Sequence, residues 1–164
     1  MTKAAPSRAV TGTLAKRTPR DLEGEFTRAL ESQGWLVLTP EQYIPGHPTP
    51  AQPGNVIVTQ FQPKVPNVRG GRRAAYKLDF CDPVFRVYCE IDGYNRFNPV
   101  TGKIGGKGGH ITWKGFHSDR RRDRALSFAG WRGLRYGPGD FATPAETLAC
   151  AKEFIAFILQ VRNQ

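Results

Sequence analysis

From residue 18 onward the chain switches between two periodicities. Thr18-Pro19-Arg20-Asp21 has the make-up of a helix start: threonine as N-cap, proline at the first helical position and an acid in the first turn. Leu22, Phe26, Ala29 and Leu30 follow at helical spacing, and Gly34 supplies a stop. Trp35-Leu36-Val37-Leu38 reads as a first, buried strand. Residues 39–55 hold five prolines and read as a long loop. Val56–Gln62 alternates weakly and is expected to be a strand, and Pro63–Gly71 a turn region.

The clearest alternation comes next. In Ala75–Phe80, Tyr76, Leu78 and Phe80 face one way and Lys77 and Asp79 the other. Cys81-Asp82-Pro83 reads as a turn. In Phe85–Asp92, Phe85, Val87, Cys89 and Ile91 share one face, and Arg86, Tyr88, Glu90 and Asp92 the other. Two such strands joined by a short turn predict a hairpin whose polar face gathers Asp79, Glu90 and Asp92. Gly93–Gly115, rich in glycine and basic residues, reads as a long flexible insertion. Asp119–Ala129 is expected to be a helix, and Trp131–Tyr136 a short strand. Thr143-Pro144-Ala145-Glu146 is a capping-box start. The helix it opens runs to about Val161, with Leu148, Phe154, Ile155, Ile158 and Leu159 as its core face. This order of elements predicts an α/β sandwich with a central mixed sheet flanked by helices.

Length changes the picture little: 164 residues suit one domain, here 18–164, behind a basic mobile tail at 1–17. No apolar run approaches the roughly 20 residues of a membrane span, so no membrane association is expected. Cys81, Cys89 and Cys150 are scattered without metal-site spacing and read as buried free thiols. Charge changes the picture more. Lys and Arg number 24 against 14 acids, a formal net charge of +10. Such a surplus draws polyanions, nucleic acid first.

Asp79, ten intervening residues, then Glu90-Ile91-Asp92 is the chief chemical constellation. Carboxylates gathered on one sheet face repel one another, and a hard divalent cation with a preference for oxygen removes that repulsion. Solvent-facing strand acids are the alternative, although acids are disfavoured in strands. The glycine run 102–109 lacks the Lys-Ser/Thr ending of a phosphate loop, which argues against nucleotide hydrolysis. No small-molecule cofactor is expected.

The segments Lys77-Leu78-Asp79-Phe80 and Tyr88-Cys89-Glu90-Ile91-Asp92-Gly93 resemble the strand pair of PD-(D/E)XK nucleases. They are closest to the branch of very short patch repair endonucleases and small phage nucleases. Gly108-Gly109-His110, Gly115-Phe116-His117-Ser118-Asp119, Arg122, Gly130-Trp131 and Leu134-Arg135-Tyr136 resemble later motifs of the same branch. Glu23, Phe26, Leu30 and Gly34-Trp35 are similar to the opening helix of archaeal-type Holliday junction resolvases. The likeness covers about residues 21–136.

The resemblance implies a restriction-endonuclease-like fold and Mg²⁺-dependent cleavage of DNA, with Mn²⁺ as a substitute. Asp79, Glu90 and Asp92 would hold the metal, Glu23 would assist, and His110 would serve catalysis. The implied setting is phage or mobile-element DNA processing in a bacterial or phage-infected cytoplasm, with a homodimer by analogy with resolvases. Asp92 stands where many members of the family carry a catalytic lysine, and Arg122 replaces a lysine on the following helix. Either Arg122 or His110 would have to supply the missing cation. The basic residues Arg72, Arg73, Lys107, Lys114, Arg120, Arg121 and Arg122 are candidate phosphate contacts. A non-catalytic DNA-binding module on a degenerate nuclease fold is the rival reading, and a basic RNA-binding protein a third.

Overall fold

Alternation and helical stripes sort the chain into five strands and three helices. The computed structural model describes residues 19–45, 55–65, 76–92 and 113–164. The tail at 1–17 and the greater part of the glycine-rich insertion therefore lie outside the described residues. The elements are α1 (Pro19–Ser32), β1 (Leu36–Leu38), β2 (Val56–Phe61), β3 (Leu78–Asp82), β4 (Val87–Ile91), α2 (Trp113–Phe128), β5 (Arg132–Tyr136) and α3 (Pro144–Arg162). A 3₁₀ turn at Pro138–Phe141 joins β5 to α3.

The strands form one open mixed sheet in the order β1-β2-β3-β4-β5. β1 with β2 and β4 with β5 are parallel, and the two inner pairings are antiparallel. The expected hairpin is therefore present as β3–β4, in register Phe80↔Cys89 and Cys81↔Tyr88. A parallel neighbour needs a crossover, and α2 supplies it between β4 and β5.

Helices cover both faces, as expected of an α/β sandwich. On one face Leu22, Phe26 and Leu30 of α1 and Phe154 and Ile158 of α3 pack on Ile57, Phe80, Val87, Cys89 and Ile91. Phe26 is the hub, with ring centroids 5.0 Å from Phe80, 5.9 Å from Phe141 and 6.3 Å from Phe154. On the other face Ala125, Leu126 and Trp131 cover Val58, Leu78, Cys81 and Tyr88. All five residues of β4 are buried in consequence.

Several sequence expectations change here. The hairpin has no solvent-facing polar side, because α2 lies over it. Tyr76 and Leu78 pack on the α2 face but Phe80 on the α1–α3 face, so the alternation slips at Asp79. Cys81 and Asp82 belong to β3, and the turn occupies 83–86. Asp82 is nearly inaccessible. It caps that turn by accepting from the Val84 and Phe85 amides at 3.0 and 3.2 Å, and it binds Arg162 at 2.8 Å.

Trp35 is buried as expected, but β1 is an edge strand with an exposed Leu36 rather than a buried one. The helix expected from Asp119 begins at Trp113. In α3, Leu159 is exposed, and Thr147, Cys150 and Ala151 share the core face with Phe154 and Ile158. The α3 start keeps its cap, with the Thr143 hydroxyl accepting from the Glu146 amide at 3.2 Å. The three cysteines are free and buried. No helix among the described residues is long and apolar enough to cross a membrane.

Gly133 lies beside Tyr88 in the parallel register. A Cβ there would stand 2.2 Å from the Tyr88 ring, so β5 can pass only where residue 133 has no side chain. Gly133→Ala is expected to destabilise the fold by about 1–3 kcal/mol through overpacking. Urea unfolding measures the loss, and Tyr88→Leu in the same chain should recover part of it.

Candidate functional site

β3 and β4 bring two acids near each other. The paired register ends at Phe80↔Cys89, and Asp79 and Glu90 are the next residues of the two strands. Like charges on neighbouring strands repel, and both residues here lie largely out of water. The Asp79 carboxylate accepts the Ile91 amide at 2.8 Å through Oδ2. Through Oδ1 it accepts the Gln60 side-chain amide at 3.3 Å.

The same Gln60 amide donates to Glu23 Oε2 at 3.4 Å. Gln60 thereby links α1, β2 and β3 at the acid site. Its backbone sits in the left-handed region at φ 49°, a conformation that costs a side-chain-bearing residue about 1–2 kcal/mol. The slip in alternation falls at this point in both strands. Phe61, next after Gln60, turns to the α2 face, as Leu78 opposite it does. A cavity of about 570 Å³ opens beside Gln60, with Thr39, Gln62 and Lys77 in its wall.

Glu90 meets a cation from the helix above. Arg122 Nη2 stands 2.6 Å from Glu90 Oε1. The contact is short but poorly angled for a hydrogen bond, and each buried group favours the charged form of the other. Arg122 precedes Ala125 and Leu126, the buried stripe of α2, by three and four residues. That spacing turns it inward, whereas Arg120, Arg121 and Arg124 are exposed. Arg135 of β5 lies 3.8 Å from Asp123 beside it.

These surroundings set the proton affinities. The Glu90 carboxyl is pushed up to about 7, chiefly by burial and then by the charge of Asp79, while Arg122 pulls it back. Asp79 is also raised, by burial first, against the lowering effect of the Ile91 amide. Asp92 acts on Asp79 through its charge, and its backbone amide is tied to the Tyr136 carbonyl at 2.9 Å.

Of the sequence-predicted residues, Asp79 and Glu90 are thus brought together, Glu23 is joined to them by Gln60, and Asp92 flanks them. Arg122, a candidate both for phosphate contact and for the missing cation, faces inward to Glu90. Arg72, Arg73, Lys107 and His110 lie outside the described residues, as does the Lys114 side chain. Sequence reasoning missed Gln60 altogether, and weak alternation at 56–62 was its single trace. The inward aim of Arg122 was readable from its spacing to Leu126.

Among the described residues, no three His, Cys, Asp or Glu side chains stand together as a ready metal cage. The donors that do meet are carboxylate oxygens, which suit a hard cation in kind. Compared with family models, curated proteins and solved structures, the chain matches none.

The raised Glu90 carboxyl makes stability depend on pH. Below its ordinary value of 4.5 the residue is protonated in the folded and unfolded chains alike, and contributes nothing. Between there and about 7 the unfolded chain ionises first, so stability falls as pH rises, and above about 7 the loss is complete. The full loss is of order 3 kcal/mol. Urea unfolding of metal-free protein should show wild type losing stability relative to Glu90→Gln between pH 5 and 8. A constant difference between the two would mean that burial does not hold the proton.

Proposed function

We propose that this chain is a divalent-metal-dependent endodeoxyribonuclease of the PD-(D/E)XK type, using Mg²⁺ or, in its place, Mn²⁺. One observation carries the reading. Asp79 and Glu90 stand near each other largely out of water, burial above all makes each hold its proton more tightly than usual, and the charge of Asp79 adds to the effect at Glu90. Such a pair is costly as two anions and is relieved by one hard cation. The sequence resemblance to the nuclease strand pair falls on these same two residues.

In this reading Asp79 and Glu90 hold the metal, Asp92 shares it or orients water, and Glu23 completes the site through Gln60. A bound divalent cation there would polarise a phosphodiester and make water a better nucleophile at neutral pH. Gln60 fixes the direction of the Asp79 carboxylate, so that less order has to be imposed when substrate arrives. Lys77, exposed in the wall of the neighbouring cavity, and the exposed Arg120 and Arg121 offer positive charge to the DNA backbone. Asp92 cannot do what a lysine does for developing negative charge, and Arg122 brings the cation to this site instead. Arginine stays protonated, which suits it to hold phosphate rather than to take a proton. DNA is the partner and a homodimer the expected assembly. Junction resolution, nicking or repair of phage or mobile-element DNA in a bacterial cytoplasm is the setting.

The ion pair of Arg122 with Glu90 favours a second reading. It compensates one acid without any metal, as a degenerate site on a non-catalytic DNA-binding module would.

Purified protein incubated with supercoiled plasmid and with a branched synthetic junction separates the two. Cutting in Mg²⁺ or Mn²⁺, abolished by EDTA and reduced at least 100-fold in Asp79→Ala and Glu90→Ala, is the expected result. Salt-sensitive binding with no cutting in any metal would favour the binding module. Cutting that survives EDTA would end the metal mechanism.

A further inference from the structure

The Arg122–Glu90 contact has a geometry that neither a phosphate-binding arginine nor a plain structural ion pair requires. Its two facing atoms are buried and 2.6 Å apart, at angles too poor for a well-formed hydrogen bond. Arg122 Nε is buried without a hydrogen bond as well. A guanidinium usually meets a carboxylate with two parallel N–H donations. Here a single short, poorly angled contact holds it, on the carboxylate that the charge of Asp79 also reaches.

We infer that Arg122 is the resident counter-cation of the acid site, and that a divalent cation binds by displacing its guanidinium from Glu90. The inference rests on the proposed metal site. A cation of higher charge and smaller size compensates Asp79 and Glu90 together at close range, whereas the guanidinium's short contact is with Glu90 Oε1 and it reaches Asp79 through its charge. Asp123, the next residue on α2, also attracts Arg122 and gives the released side chain another partner. Freed from Glu90, the guanidinium would be available to a phosphate at this site, whose oxygens suit its planar fork.

The consequence has an unusual sign: removing a conspicuous charged side chain from the site strengthens metal binding. Mn²⁺ binding is measured by calorimetry at pH 8 on wild type, Arg122→Met and Asp79→Asn, each checked for folding by its melting curve. Arg122→Met keeps an unbranched apolar stem for the α2 stripe. It is expected to bind Mn²⁺ about tenfold more tightly than wild type, and Asp79→Asn at least tenfold more weakly. Equal or weaker binding in Arg122→Met, with Asp79→Asn still impaired, overturns the displacement and leaves the metal site standing. Binding in wild type that Asp79→Asn does not change overturns the metal site itself, and the inference with it.

Wild-type protein gives a second readout that needs no folded variant. The Arg122 Nε–H signal in ¹⁵N NMR should exchange slowly with water in metal-free protein, then shift and exchange faster on saturation with Mg²⁺. A signal unmoved at saturating Mg²⁺ overturns the displacement.

Discussion

Burying Asp79 near Glu90 costs free energy whenever both are ionised, and the rest of the site is arranged around that cost. The two carboxylates, each on the residue next to the Phe80↔Cys89 pair, lie close enough for the charge of Asp79 to raise the Glu90 carboxyl. Water cannot screen them well, because α2 covers that face with Ala125, Leu126 and its neighbours. Three devices answer the repulsion. The Ile91 amide and the Gln60 side chain neutralise part of Asp79. Arg122 neutralises part of Glu90. The remainder appears as carboxyl groups that keep their protons beyond the ordinary range.

The two acids of β3 show how burial separates structure from chemistry. Asp82 is more deeply buried than Asp79. It is matched by an arginine at hydrogen-bonding distance and by two backbone amides. Arg162, which supplies that match, also lies over the rings of Trp35 and Phe85, 4.9 and 5.0 Å from their centres. Asp82 is therefore a closed account, fastening the end of α3 to the hairpin turn. Asp79 shares its neighbourhood with Glu90, Asp92 and, through Gln60, Glu23. Strain is stored at the same place, since the left-handed Gln60 is the residue that turns its amide between two carboxylates. Backbone strain concentrates where surrounding structure holds it for a purpose.

Much of the fold was legible in residue spacing. α1 and its stop at Gly34, the hairpin, the β5 strand and the capped start of α3 all followed from periodicity and end signals. The α/β sandwich followed from their order. What spacing misread has a common cause, which is cover by a distant element. A strand with alternating Tyr88 and Glu90 looks half-exposed until α2, more than twenty residues on, is placed over it. Cys81-Asp82-Pro83 looks like a turn until Arg162, from the far end of the chain, makes a buried aspartate tolerable. In the candidate site, Asp79, Glu90 and Asp92 were visible because acids are unusual in strands. Gln60 was invisible, because a positive φ leaves no mark on a glutamine, and its role depends on meeting Glu23 and Asp79 from other segments.

The central claim is that Asp79 and Glu90 behave as one coupled pair that a divalent cation relieves. Following the side-chain carboxyl carbons of both residues by ¹³C NMR across pH, with and without Mg²⁺, tests it most directly. Without metal, Glu90 is expected to titrate near its raised value of about 7, with a matching inflection at Asp79, as interacting sites do. Saturating Mg²⁺ should carry the Glu90 midpoint down by more than a unit, because the cation favours the ionised form. A Glu90 signal that titrates near 4.5, takes no inflection from Asp79 and ignores Mg²⁺ would contradict the account.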